Sequence, residues 1–192
     1  KVVRIEADGK VPANNPFASA ENGTFPSGKT NHLFNTKVDH RFNDRHSMFA
    51  RYAFDDQFTL RSGNPSSDSR QGDDFSTTHS VVAERTSVLS DRLVHSLRVH
   101  FLTQNVGTLA HSTAAGVTRP SISTGPGPTW PQYFPRKKTT VGETVYYTAT
   151  RHDIKAGADY SYSTGSYESH ANETGQFTFT TDLPFDVNNR AT

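Results

Sequence analysis

Asn31-His32-Leu33-Phe34-Asn35-Thr36-Lys37-Val38-Asp39-His40-Arg41-Phe42-Asn43-Asp44-Arg45-His46-Ser47-Met48-Phe49-Ala50-Arg51-Tyr52-Ala53-Phe54-Asp55 is the stretch that decides the fold. Phe34, Val38 and Phe42 share one face with Thr36 and His40, whereas Asn35, Lys37, Asp39 and Arg41 share the other, the period of two of a half-buried strand. After a polar turn at Asn43-Asp44-Arg45-His46, Met48, Ala50, Tyr52 and Phe54 continue the apolar face. Pairing Phe42 with Met48 in an antiparallel hairpin would set Asp39 opposite Arg51 on the polar face.

The layout of two alternating arms around a short turn recurs twice more. Residues 80–90 and 93–104 flank Ser90-Asp91-Arg92, with Leu93, Leu97, Val99 and Phe101 on one face of the second arm. The first arm is irregular, since Arg85 would share a face with Val81, Ala83 and Leu89. Residues 141–150 and 154–163 flank Arg151-His152-Asp153, and Ile154, Ala156, Ala158, Tyr160 and Tyr162 alternate with Lys155, Gly157, Asp159 and Ser161. A seventh strand is expected near Gln176-Phe177-Thr178-Phe179-Thr180, and Val2-Val3-Arg4-Ile5-Glu6 alternates briefly.

Each arm runs about ten residues, against about five or six for a soluble strand and about nine to eleven for one that crosses a bilayer at a tilt. The connections alternate short and long, the long ones expected at 56–79, 105–140 and 164–175, rich in Gly, Ser, Pro and Asn. Loops of that length count against a compact soluble domain but suit the outer surface of a membrane barrel. The expected fold class is all-β: an antiparallel meander forming a partial transmembrane β-barrel, with short periplasmic turns and long extracellular loops. Residues 1–192 read as a single barrel segment, with 1–30 a loop or preceding strand and 31–180 carrying six to seven strands.

Composition agrees. Only 32% of the residues are hydrophobic, too few for a conventional core, while thirteen Phe and seven Tyr argue against disorder. Lys and Arg number 20 against 19 acidic residues, which leaves no electrostatic case for a nucleic-acid partner. Cysteine is absent, which excludes disulfides, thiolate catalysis and Cys-ligated metals. No apolar run is long enough for a transmembrane helix, and the first residues are not a signal peptide; Lys1 starts mid-pattern, as in a segment of a longer protein.

Among residues that could carry chemistry, the nine His show no His-x-x-x-His frame, and no Ser stands in a Gly-x-Ser-x-Gly elbow. Neither catalytic nor metal-ligating residues are expected, and no cofactor. Asp55-Asp56 and Asp73-Asp74 read as solvated loop charge. The stretch Gly125-Pro126-Gly127-Pro128-Thr129-Trp130-Pro131-Gln132-Tyr133-Phe134-Pro135-Arg136-Lys137-Lys138 has the most unusual composition. It is either a ligand-facing tip, with Trp130, Tyr133, Phe134 and Arg136 as ligand-binding candidates, or a loop packed over a barrel mouth. Lys37, Asp39, Arg41, Arg51, Arg98, Lys155 and Asp159 would line a watery lumen.

The hairpin of residues 31–52 resembles the barrel hairpin of Oar-like TonB-dependent receptors. Leu89-Ser90-Asp91-Arg92-Leu93-Val94-His95-Ser96-Leu97-Arg98 and Arg151-His152-Asp153-Ile154-Lys155-Ala156-Gly157-Ala158-Asp159-Tyr160 are similar to that family's next two hairpins, and Gly175-Gln176-Phe177-Thr178-Phe179 to the strand that follows. The resemblance implies a large closed barrel of about 22 strands with a plug. It further implies outer-membrane lipid around the barrel and a TonB complex engaged through a missing N-terminal part, for substrate binding or import. No plug, TonB box or N-terminal regulatory-like domain is recognisable here, and no ligand contact of the family can be transferred. The expected protein is a non-enzymatic receptor segment in the outer membrane of a Gram-negative bacterium. The competing readings are a soluble secreted β-sandwich binding module, an outer-membrane hydrolase barrel and a surface adhesin on the same barrel.

Overall fold

The computed structural model describes residues 2–5, 21, 23–62 and 67–183. Strands β1 (Val2–Ile5) and β2 (Gly23–Pro26) pair antiparallel in a sheet of their own. Four long strands follow: β3 (Gly28–Asn43), β4 (His46–Ser62), β5 (Gly72–Ser90) and β6 (Leu93–Ala110). The next connection contains the short strands β7 (Gly116–Thr118), β8 (Ser123–Thr124) and β9 (Gln132–Tyr133). Then come β10 (Arg136–Thr148), β11 (Asp153–Gly165), β12 (Glu168–Ser169) and β13 (Gln176–Thr178). The main sheet is an antiparallel meander in the order β3-β4-β5-β6-β10-β11, with open edges at β3 and β11; β9 pairs with β6 and β12 above it.

The three hairpin turns of the main sheet lie at one end. Between β3 and β4 the Asn43 side chain closes the turn, its Oδ1 accepting the backbone N–H groups of Arg45 and His46 at 2.9 Å each. This closure corrects the expected register. The ladder begins at Asn43 opposite His46, a bulge falls between Arg41 and Asn43, and Lys37, not Asp39, stands opposite Arg51, with Met48 opposite His40. The displacement is two residues, so every side chain keeps its expected face.

The strands are longer than expected. The six main strands hold 13 to 19 residues. The long connections shrink accordingly to 63–71 and 111–135, and Asp55, Asp56, Asp73 and Asp74 lie within β4 and β5, not in loops. Gln176–Thr178, expected to begin a seventh membrane strand, instead pairs parallel with β7 in a small separate sheet with β8. Its partner lies far back in the chain, which local alternation cannot reveal.

Register aligns apolar side chains across all six strands. One row reads Thr36, Tyr52, Val81, Phe101, Thr139, Tyr162, and the next Val38, Ala50, Ala83, Val99, Val141, Tyr160. No layer of protein packs over these residues, which are exposed or at most half-buried among their sheet neighbours. Val38 is 64% exposed and Tyr160 69%, while Ile122 is the buried hydrophobic residue among those described. The outward aromatics of the apolar band form two tiers, Phe34, Tyr52, Phe54, Phe101, Tyr160 and Tyr162 above and Phe42 and Tyr147 below, and Phe58 and Phe75 stand higher on the same face. From Phe34 to Phe42 the strand rises about 26 Å, or about 20 Å vertically at a 40° tilt, close to the ~25 Å apolar band of a transmembrane barrel.

Candidate functional site on the inner face and its loop end

Because side chains alternate, the residues between these rows project to the opposite face. Register places all seven expected lumen residues, Lys37, Asp39, Arg41, Arg51, Arg98, Lys155 and Asp159, there, joined by Glu84. They form a loose charge lattice. Lys37 Nζ meets Asp39 at 2.6 Å, Arg51 donates to Asn35 at 3.0 Å, and Ser96 donates to Glu84 at 3.0 Å. Arg98 reaches Asp159 at 3.5 Å across the intervening strand, where Gly142 leaves the gap. A Cβ on Gly142 would collide with the Asp159 carboxylate. Arg98 and Asp159 are 54% and 62% exposed, so the pair orders a wet surface and adds little stability.

The loop end is built differently, from buried charges. Arg61, at φ +52°, holds Asp68 through Nε at 2.5 Å and Nη2 at 3.3 Å, and the Pro26 carbonyl through Nη1 at 2.8 Å. Its backbone N–H donates to Asp73 at 2.8 Å, and His111 Nδ1 lies 2.9 Å from the same carboxylate. These side chains are 12% to 19% exposed. The network ties β2, the 63–71 connection, β5 and the start of the 111–135 connection together. Asp73 is therefore a structural clamp residue, not solvated loop charge. Beside it Ser67 Oγ donates to the Ser123 carbonyl at 2.5 Å and Ser69 Oγ accepts from Gly125 N–H at 2.7 Å, docking one loop under the other.

The four ligand-binding candidates divide between the two faces. Trp130, which precedes a cis peptide bond to Pro131, lays its ring over Gly127 and Gly72 on the inner side; a Cβ on Gly72 would lie 3.2 Å from the indole. Phe134 also faces inward, stacked on Tyr167 at 5.0 Å, and Arg136 Nε donates to Gln104 at 2.5 Å on that face. Tyr133 faces outward with Phe75 and His170, at centroid distances of 6.0 and 6.1 Å. Phe134 closes an inner cleft of about 280 Å³ whose polar walls include Gln57, Asp74, Ser76 and Thr108. Thr108 donates to Asp74 at 2.7 Å. Sequence reasoning missed these polar residues because Ser, Thr, Gln and Asp stand there on both faces of the strands, which erases the alternation.

Glu168 and Glu173 flank His170 at 2.8 and 3.4 Å. The hydrogen bond that His170 donates to Glu168, reinforced by the charge of Glu173, raises the His170 pKa above its ordinary value. Among the described residues, no group of three or more His, Asp or Glu is placed to hold a metal ion.

A soluble sandwich would bury the row that here stays exposed from Val38 to Tyr160. Hydrocarbon accommodates that row, and the hydrated charges opposite it need water. A family model described as an outer membrane beta barrel domain matches residues 6–190. Neither a curated protein nor a solved structure matches the chain. An apolar outer face, a wet inner face, tight turns at one end and a match over nearly the whole length together establish that this chain belongs to the outer membrane β-barrel domain family and resides in the outer membrane of a Gram-negative bacterium.

Proposed function

We propose that the chain forms part of the wall of an Oar-like TonB-dependent receptor that binds or imports a substrate, with no catalytic role. The observation that carries this reading is the continuation of the polar inner face beyond the upper aromatic tier. From Phe54 to Ser62, β4 extends about 26 Å further, and there the Phe134 cleft opens. A wall projecting above the bilayer with a polar cleft on its inside suits capture of a bulky solute before passage. The likeness of the three hairpins to that receptor family supports it.

In this reading the remaining wall strands pair with the open edges β3 and β11, since unpaired backbone groups in lipid cost several kcal/mol each. A plug fills the lumen, and TonB engages a segment outside this chain. Arg98, Asp159, Lys37 and Glu84 present both charge signs to solute or plug. A hydrolase would need a nucleophile held by a base, and the inner-face hydroxyls described here hydrogen-bond to scaffold groups such as Asp74 and Glu84.

The test is depletion of medium components, followed by mass spectrometry, by cells carrying the intact receptor. Wild-type cells should remove a solute that cells with Phe134→Ala and Asp74→Ala leave behind, and an uncoupler of the proton gradient should abolish removal. Removal that persists unchanged with uncoupler rejects energised transport. Binding without internalisation moves the reading to a surface adhesin.

A further inference from the structure

Level with Phe34 and Phe54 of the upper aromatic tier, and below the outward rings of Phe75 and Tyr133, the outward face carries a second cleft, of about 640 Å³, on β5, β6, β10 and β11. Register fixes its position. Thr103, Lys137 and Thr164 form the row immediately above Phe101 and Tyr162, and His79 stands beside Thr103 in that row. Asn105 and Ser166 line the next step up. These side chains point to the lipid side, within the aromatic belt that marks the headgroup level, since Phe54 shares their row and Phe75 and Tyr133 lie above it. The tight turns lie at the far end of the strands, so this is the outer leaflet.

Lys137 has no carboxylate partner among the described residues, and its long stem lets the ammonium rise from the apolar band into the headgroup layer. The hydroxyls and amide around it supply neutral donors. His79 is oriented by Tyr52, whose OH lies 2.8 Å from Nδ1, which leaves Nε2 free to face the cleft. Asp56, the carboxylate nearest this row, is occupied by the Thr77 hydroxyl at 2.7 Å. A cation ringed by donors, in a recess of ligand size and directly over aromatic rings, matches an anionic group carried on acyl chains: the phosphate binds Lys137 while the chains lie along Phe101, Tyr160 and Tyr162.

We propose that this cleft binds the phosphorylated headgroup of an outer-leaflet glycolipid, its phosphate oxygens accepting from Lys137, Thr103 and Thr164. The inference rests on the outer-membrane barrel itself and does not depend on transport or on TonB.

The experiment is native mass spectrometry of the intact barrel in detergent micelles doped with bisphosphorylated lipid A or with its dephosphorylated form, with inorganic phosphate as competitor. The phosphorylated lipid should bind at least tenfold more tightly than the dephosphorylated one. Lys137→Gln should remove that preference, Lys137→Arg should keep it, and the inner-face control Lys155→Gln should leave it unchanged. Equal binding of the two lipids, or a preference that survives Lys137→Gln, would overturn the proposal. Displacement by micromolar inorganic phosphate would overturn the lipid as the source and assign the cleft to soluble phosphate.

Discussion

The two faces of β6 differ by a single step along the backbone: Leu97, Val99 and Phe101 point one way, Ser96, Arg98 and His100 the other. Nothing in local backbone geometry distinguishes them. What differs is the medium, hydrocarbon outside and water inside, and the same contrast runs through the six strands except at Arg85 and Glu143, which register sets beside Leu97 on the outward face. The loop end follows a third rule, since there charge is buried against charge in Arg61, Asp68, Asp73 and His111. Stability of this protein is therefore divided among lipid burial, a hydrated lattice and a compact polar clamp, each sensitive to a different substitution.

The largest effect should come from placing a charge on the outward face. Val99→Lys, in the middle of the apolar band, is expected to cost about 2–4 kcal/mol, whereas Val82→Lys on the inner face should change stability by less than about 0.5 kcal/mol. Denaturant unfolding of the intact barrel in liposomes separates them, and equal costs would break the comparison. Next in size is the clamp. Arg61→Ala strips Asp68 of its guanidinium partner at low exposure, while Asp73 keeps the backbone N–H and His111, an expected loss of about 2 kcal/mol confined to the loop end. Amide hydrogen exchange should then rise in residues 67–73 and 111–125 and stay unchanged in β11.

Gly142→Ala sharpens the account of the inner lattice. Alanine ordinarily favours a strand over glycine, but here its Cβ meets the tip of Asp159 and separates it from Arg98, so a net loss of no more than about 0.5 kcal/mol is expected. A gain in stability would show that the Arg98–Asp159 reach across β10 is incidental.

The smallest effect is pH-dependent. His170 has its pKa raised by Glu168 and Glu173, so the contact is strongest with the imidazole charged. Its contribution is fully present below the unfolded His value of about 6.5 and fades as pH rises through the higher folded value. NMR titration should find His170 titrating above that unfolded value, with Glu168→Gln lowering it. A wild-type titration at or below the unfolded value would contradict the assignment.

The faces of the strands were legible because period two survives any even shift in register. Phe34, Val38, Tyr52 and Tyr160 could be assigned outward without knowing their partners. Register was not legible, since it depends on Asn43 closing a tight turn with a bulge beside it. Strand length was underestimated where both faces are wet: Asp55-Asp56-Gln57 and Ser76-Thr77-Thr78 give no apolar signal, although each continues a ladder. The stretch from Trp130 to Arg136 stood out by composition, yet its division into an inward Phe134 and an outward Tyr133 emerged only from pairing with β6. The clamp and the parallel pairing of β13 with β7 join segments far apart in the chain, beyond the reach of local pattern.

The chain contains no cysteine, so single cysteines can be introduced without background. Nitroxide labels placed one at a time from residue 96 to residue 103, in the intact barrel in liposomes, report oxygen and water-soluble nickel-chelate accessibility by electron paramagnetic resonance. Odd positions should favour oxygen and even positions the chelate, in strict alternation. Uniform accessibility, or the opposite phase, would contradict the assignment of Val99 and Phe101 to lipid and of Arg98 and His100 to water.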